Sequence, residues 1–139
     1  MRILLDTCIV LYLIQERDRL SHDVSAILSD YDNQLCVSME TVKELIVAYR
    51  RKGLGRKIWK IEEDIIDTLK DDLCIQVLSI GEEHMRTYAR MTINEAQGHF
   101  DPSDHIIIAH AITERMPLVS SDHKFDFYKK QGLDYICNS

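Results

Sequence analysis

Three consecutive apolar residues, Ile3-Leu4-Leu5, stop abruptly at Asp6, and the chain runs on as Thr7-Cys8-Ile9-Val10-Leu11-Tyr12-Leu13-Ile14. An uninterrupted apolar run this short is what a strand buried on both faces presents. A carboxylate cannot sit unpaired inside a dry sheet, so Asp6 marks the point where the strand emerges at its carboxyl edge. The stretch from Ile9 to Ile14 is too apolar for a surface loop and reads as a helix packed back onto the sheet. A strand, an acid at its tip and an immediate helix begin an open α/β domain, whose functional crevice lies at the carboxyl ends of the strands. A helix cap would explain Asp6 equally well. Its meaning depends on whether other acids gather at matching places.

The same alternation recurs along the chain. A charged turn spans Gln15 to Arg19, and a helix starting near Ser21 sets Val24, Ile27 and Leu28 on one face. After a turn at Asp30 to Asn33, Leu35-Cys36-Val37 is a second strand, and Ser38 suits the N-cap of a helix carrying Val42, Leu45, Ile46 and Tyr49. A long polar helix is predicted over Arg56 to Asp71 from Ile58, Ile61, Ile65 and Leu69. Ile75 to Leu78 is the third strand. A helix follows over Glu82 to Ala96 with Met85, Ala89 and Thr92 on one side, then a loop over Gln97 to Phe100. Asp101 to Arg115 is helical, Leu118-Val119 a fourth strand, Phe125 to Lys130 a short helix and Tyr135-Ile136-Cys137 a fifth strand. Helices alternating with short apolar strands predict a three-layer α/β/α sandwich around a parallel sheet of four to five strands. At 139 residues, positions 1–139 are expected to form one domain, with no repeat or linker inside it.

Further acids fall at telling positions. In the helix after Ser38, Glu40 sits in the first turn, where the helix dipole alone accounts for it. Glu44 lies one turn later among apolar neighbours, Leu45, Val47 and Ala48. In Asp101-Pro102-Ser103-Asp104, Asp101 suits the N-cap, Pro102 the first helical position and Asp104 the third, so a capping arrangement could account for both acids. Yet Ile106-Ile107-Ile108-Ala109 makes this helix apolar nearly all round, and Asp104 shares its inner face with Ile108 and Ala111. Leu118-Val119-Ser120-Ser121-Asp122 repeats the opening pattern, an apolar strand with an acid just past its end, although Ser and Asp are also ordinary turn residues. If the strand order is 3-2-1-4-5, strands one and four meet at the switch point and Asp6 and Asp122 flank one crevice.

Four converging carboxylates repel one another, at about 4 kcal/mol per pair for about 4 Å and an effective dielectric near 20. A hard divalent cation relieves that repulsion, and oxygen-only ligands favour Mg²⁺ or Mn²⁺ over zinc. The six histidines offer no H-E-x-x-H, and His105 and His110 lie five apart, off a common helix face, as surface or supporting residues. A net charge of −6 argues against a general nucleic-acid coating protein, though not against a nuclease whose metal and local basic patch hold phosphate. No apolar stretch approaches the roughly 20 residues of a membrane span, and the amino terminus lacks the form of a signal peptide. Cys8, Cys36, Cys74 and Cys137 are scattered, mostly in apolar runs that read as strands. They are expected as reduced thiols in a cytoplasmic protein.

The ordered set of Asp6-Thr7, Ser38 followed by Glu44, Asp104 in Asp-Pro-Ser-Asp before Ile-Ile-Ile-Ala-His-Ala, and Asp122 after Leu-Val-Ser-Ser resembles the PIN domain. It is most similar to the small VapC toxins, over nearly the whole chain. The resemblance implies a Mg²⁺- or Mn²⁺-dependent ribonuclease acting on RNA, often a homodimer and often inhibited by a small antitoxin. It assigns Asp6, Glu44, Asp104 and Asp122 as metal-binding and catalytic acids, with Thr7, Ser38 and Ser120 beside them. Cys8 stands where an Asn is common, which removes one expected supporting hydrogen bond.

One basic run remains. Arg50, Arg51, Lys52, Arg56, Lys57 and Lys60 fall within eleven residues that contain no acid. They read either as a solvated turn or as an RNA-binding patch. Trp59 within the run offers a stacking surface or, at helical spacing from neighbouring Ile residues, a core residue. A phosphatase reading fails because Asp6-Thr7-Cys8 lacks a second Asp two residues on, and a nucleotide-binding module fails because G-x-G-x-x-G and G-K-[ST] are both absent. The remaining rival is a catalytically idle PIN-like module that binds protein or RNA, which retention of all four acids disfavours.

Overall fold

The computed structural model describes residues 1–139 and places five strands in one fully parallel sheet of order β3-β2-β1-β4-β5. The strands are β1 Arg2–Leu5, β2 Gln34–Ser38, β3 Gln76–Leu78, β4 Leu118–Ser120 and β5 Tyr135–Cys137. The order is the one that would bring Asp6 and Asp122 to one crevice. In β1, Ile3 and Leu5 point to one face and Leu4 to the other, and none of the three is exposed. Each contributes roughly 1.5–3 kcal/mol by burial. Ile3 and Leu5 pack with α1 (Thr7–Gln15), α2 (His22–Ser29), α3 (Met39–Lys52) and α4 (Glu63–Asp67). Leu4 packs with α6 (Pro102–Glu114) and a 3₁₀ segment over His123–Gln131. The expected α/β/α layering is therefore present.

The register Leu5↔Val119 sets the carboxyl ends of β1 and β4 side by side, and the Asp6 N–H donates to the Val119 carbonyl at 2.9 Å. From β1 the chain winds through β2 to β3 on one side, while β4 and β5 lie on the other, so this junction is the switch point. α1, α3 and α6 all begin at this edge, and their first turns ring the crevice.

Two predicted helices differ from what forms. The stretch predicted as a helix over Arg56 to Asp71 is turn up to about residue 62, then α4, then a π-helical turn over Thr68–Asp72. α3 ends at Gly53 in the left-handed conformation, at φ 68°. Gly55, at φ 73°, lies so close under the Trp59 indole that a Cβ there would meet the ring at 2.3 Å. The Asp64 carboxylate then accepts the Lys60 and Ile61 N–H groups at 2.8 and 3.2 Å, which holds a turn where the helix would have begun. Trp59 is core, 2% exposed, and its Nε1–H donates to Thr68 Oγ1 at 2.9 Å; Ile58 and Ile61 are exposed instead.

The helix predicted over Glu82 to Ala96 stops as α5 at Arg90, and its packed face is not Met85, Ala89 and Thr92, which are exposed. The inward groups are His84, Thr87 and Tyr88, because α5 meets α6 through polar pairs. Thr113 Oγ1 donates to Thr87 Oγ1 at 2.7 Å, and His84 Nε2 lies 2.8 Å from Glu114 Oε2. The cysteines also depart from expectation. Cys36 and Cys137 lie in strands, but Cys8 is in α1 and Cys74 is exposed outside β3; all four are free thiols. No helix is long and apolar enough to cross a membrane.

Candidate active site

Asp6 follows β1 and caps α1, with its Oδ1 accepting the Thr7 N–H at 2.8 Å. Its Oδ2 accepts the Ser120 hydroxyl at 2.7 Å and, more weakly, the Cys8 thiol at 3.6 Å. Ser120 Oγ in turn accepts the Asp122 N–H at 3.1 Å, so one serine hydroxyl ties the acids at the ends of β1 and β4 together. Cys8 thus supplies a weak donor to Asp6 in place of the missing amide. Burial and the adjacent Asp6 charge push its thiol up to about 12, which keeps that donor protonated.

Glu44 enters from the second turn of α3 and is tied to the same point. Thr7 Oγ1 donates to Glu44 Oε1 at 2.6 Å, with Thr41 Oγ1 3.2 Å from the same hydroxyl. Asp104 projects from the first turn of α6, and Asp122 caps the 3₁₀ segment by accepting the Lys124 N–H at 2.9 Å. The four acids named from the sequence therefore converge. No lysine or arginine pairs with any of them.

The electrostatics register that convergence. Asp104 is pushed up to about 8, first by burial and then by Asp6, Asp101, Glu44 and Asp122. Asp6 is raised by burial, against the hydrogen bonds from Ser120, Thr7 and Cys8, with a further push from Asp122. Glu44 is raised by burial, against its bond from Thr7, with added repulsion from Asp6, Asp101 and Glu40. Several carboxylates made costly to ionise, without a protein cation beside them, suit a hard divalent cation in both charge and donor type. One potential ligand atom from each of His99, Asp104 and Asp122 lies within 4.8 Å of the others.

Three residues stand differently from the sequence expectation. Ser38 is fully buried, but its hydroxyl accepts the Glu40 N–H at 3.1 Å and meets His110 Nδ1 at 2.9 Å, so it caps α3 and touches none of the four acids. Asp101 is the N-cap of α6, accepting the Ser103 N–H at 3.0 Å, yet its charge also bears on Asp104 and Glu44. Glu40, explained by the helix dipole alone, is 8% exposed, pairs with Lys43 and accepts the Ser103 hydroxyl at 2.7 Å. It locks the first turn of α3 to the first turn of α6.

His99 was not legible as a site residue. It is 3% exposed, and its Nε2 lies 3.0 Å from Asp104 Oδ2. It sits in an irregular loop, where no periodicity marks an inward side chain. Burial, then the neighbouring His105, lowers its pKa. His105 and His110, expected at the surface or in support, are both buried; His105 Nε2 bonds the His99 carbonyl at 2.9 Å.

The basic run divides. Arg50 pairs with Glu62 at 2.8 Å, while Arg56 bonds the Tyr49 carbonyl at 3.4 Å and lies over the Tyr49 ring. Arg51, Lys52, Lys57 and Lys60 are exposed without an ion pair. Arg50, Arg51 and Lys52 also occupy the last turn of α3, where the helix dipole favours cations.

The family model of the PIN domain matches residues 3–131. Among solved structures, VapBC2 from Rickettsia felis bound to a DNA fragment from their promoter superposes with a TM-score of 0.74 at 18% identity, over 100% of this chain and 100% of that one. VapBC-1 from nontypeable Haemophilus influenzae gives 0.68 at 23% identity, over 99% and 98%. FitAcB from Neisseria gonorrhoeae gives 0.68 at 20% identity, over 98% and 96%. None of the curated proteins matches this chain by sequence.

Proposed function

This chain belongs to the PIN domain family, a family of nucleases, and from that premise we propose that it is a metal-dependent endoribonuclease, the toxin of a toxin–antitoxin pair. The observation that carries the reading is the convergence of Asp6, Glu44, Asp104 and Asp122 on one crevice with no protein cation to balance them. These four acids would hold Mg²⁺ or Mn²⁺. When bound, such an ion polarises a phosphoryl oxygen and acidifies a water. The chain's own part is orientation. Ser120 and the Thr7 N–H fix Asp6, Thr7 Oγ1 fixes Glu44, and the Glu40–Ser103 bond holds the α3 and α6 ends that carry Glu44 and Asp104. The four clustered acids favour this reading over an idle binding module, which has no need of carboxylates gathered without a protein cation. Purified protein is expected to cut RNA with Mg²⁺ or Mn²⁺ and to stop in chelator; cleavage undiminished by chelator would refute the metal-dependent mechanism.

A small antitoxin and a second copy of the chain are the proposed protein partners, with action in the cytoplasm. The support for an antitoxin is that the similar structures are complexes of the VapBC and FitAB types.

For RNA contact we keep the basic run, weighted to its unpaired members. α3 runs away from the crevice, so Arg51 and Lys52 lie roughly 10–12 Å along the helix from Glu44. That suits contacts to flanking phosphates rather than to the scissile one. Replacing Arg51, Lys52 and Lys57 by Ser should flatten the salt dependence of RNA binding by up to about 2 in slope, since each single-strand contact contributes about 0.7. Arg50→Ser and Arg56→Ser should do less, because both side chains already have partners. An unchanged slope in the triple variant returns the run to a solvated turn.

A further inference from the structure

A chain of hydrogen bonds runs from the loop before α6 into the crevice. The Asn94 backbone N–H donates to the Tyr128 hydroxyl at 3.1 Å, that oxygen lies 2.8 Å from His99 Nδ1, and His99 Nε2 lies 3.0 Å from Asp104 Oδ2. Asn94, His99 and Tyr128 are at most 3% exposed. Donor accounting sets the direction of every bond. The Asn94 N–H can only donate, so the phenol oxygen accepts it and has one proton of its own to place. If His99 carried its proton on Nδ1, the phenol oxygen would receive two protons and its own would have no acceptor in a packed interior. Leaving a buried donor unmade costs about 1–3 kcal/mol. The phenol therefore donates to Nδ1, the ring proton sits on Nε2, and Nε2–H donates to Asp104.

The loop is held so that this direction cannot easily change. Asn94 Oδ1 accepts the Gln97 N–H at 3.3 Å, Asn94 Nδ2 donates to the Lys124 carbonyl at 3.2 Å, and the His99 N–H returns to the Asn94 carbonyl at 3.0 Å. His105 bonds the His99 carbonyl from below and stacks edge-on against the ring, with centroids 4.8 Å apart. A nitrogen that donates a proton has no lone pair to offer. In this tautomer His99 offers no lone pair at Nε2, although it lies within 4.8 Å of the Asp104 and Asp122 ligand atoms.

We propose that His99 is a positioning residue for Asp104: its Nε2–H engages Oδ2 and so fixes the direction from which the carboxylate meets the cation, with Tyr128 and Asn94 fixing the tautomer that makes this possible. The proposal rests on the metal-dependent reading above and adds to it the way one ligand is oriented. Hydrogen bonds to a ligating carboxylate govern its direction, and losing one costs about 10–100-fold in metal affinity.

The test is Mn²⁺ binding by the full chain, measured by titration calorimetry and pulsed electron paramagnetic resonance, in wild type and in His99→Leu, His99→Gln and Tyr128→Phe. His99→Leu should bind Mn²⁺ about 10–100-fold more weakly, and His99→Gln, whose amide still donates, should recover most of the loss. Tyr128→Phe removes one oxygen, frees the tautomer and should weaken binding within about tenfold; it serves as the test if His99→Leu does not melt as a folded protein. Wild-type protein should show no nitrogen coupling of a directly bound imidazole. Such a coupling, lost in His99→Gln, would make His99 a ligand and overturn the proposal. Wild-type affinity in both His99→Leu and Tyr128→Phe would overturn it too. Wild-type protein that binds no Mn²⁺ overturns the metal reading along with it, so the two failures are told apart.

Discussion

Asp6→Asn should lose metal-dependent RNA cleavage by on the order of 10³-fold or more while keeping its fold. Oriented groups that act on charge developing in the transition state are worth about 10²–10³ each, and a metal ligand adds its share of the ion. Asp6 is the acid on which the others depend, because it stands at the switch point and is linked through Ser120 to Asp122 and through Thr7 to the side of Glu44. The fold should survive for a local reason. An Asn oxygen can still accept the Thr7 N–H, and the Ser120 hydroxyl can turn to accept from the new amide. Asp101→Asn is the matched control. Asn caps a helix about as well as Asp, so that variant should lose little stability and keep most of its activity. RNA cleavage assays on both, with melting curves in chelator to confirm folding, decide the matter. Asp6→Asn within tenfold of wild type would refute the metal-dependent mechanism built on this acid, whereas Asp101→Asn inactive beside an active Asp104→Asn would mean that ligand and cap have been exchanged.

Much of this site is legible in the sequence, and the reason is local. Asp6, Asp104 and Asp122 each sit where a buried apolar element ends or begins, so the cost of burying a carboxylate gives their positions away. Ile3-Leu4-Leu5 and Ile106-Ile107-Ile108 have one packed solution each, and the acids beside them inherit it. What escaped depends on side-chain contacts that periodicity does not show, some of them between segments distant in sequence. The predicted helix over Arg56 to Asp71 had the right spacing, but Trp59 closing over Gly55 and Asp64 holding the Lys60 and Ile61 N–H groups outweigh that preference. On α5, apolarity pointed to Met85, whereas the packed face is made of His84 and Thr87 paired with Glu114 and Thr113. The resemblance puts Ser38 beside the acids, yet its hydroxyl is taken by its own helix and by His110, 72 residues away. His99 is the clearest omission. Its role comes from Tyr128 and Asn94, and neither spacing nor composition links those three.

The second large effect turns the acid cluster against the fold. In chelator, Asp104→Asn should melt higher than wild type near pH 8. Folded Asp104 sits at about 8, against about 3.9 for an unfolded aspartate. Between those values the folded chain holds a proton that the unfolded chain has released, so stability falls as pH rises through the window. The penalty is small near pH 4 and complete above about pH 8. Its upper bound is about 6 kcal/mol, which partial solvent access reduces to ~2 kcal/mol. Asn escapes it, and its side-chain oxygen still accepts the His99 Nε2–H. Asn gives up a charge in the first turn of α6, worth about 0.3–1 kcal/mol to the helix dipole, which is too little to reverse the sign. A gain of roughly 3–6 °C at pH 8 should therefore shrink as the pH is lowered to 6 and below. Saturating Mg²⁺ should invert the order. Wild type gains about 2.7 kcal/mol at a hundredfold excess over Kd, and the variant, short of one ligand, gains little. A purely structural Asp104 predicts instead that the variant melts level with or below wild type at every pH, with or without metal. Melts of both proteins at pH 6 and pH 8, in chelator and in Mg²⁺, separate the accounts. If the variant melts lower in chelator at pH 8 and Mg²⁺ shifts both proteins equally, these carboxylates do not form a metal-binding cluster.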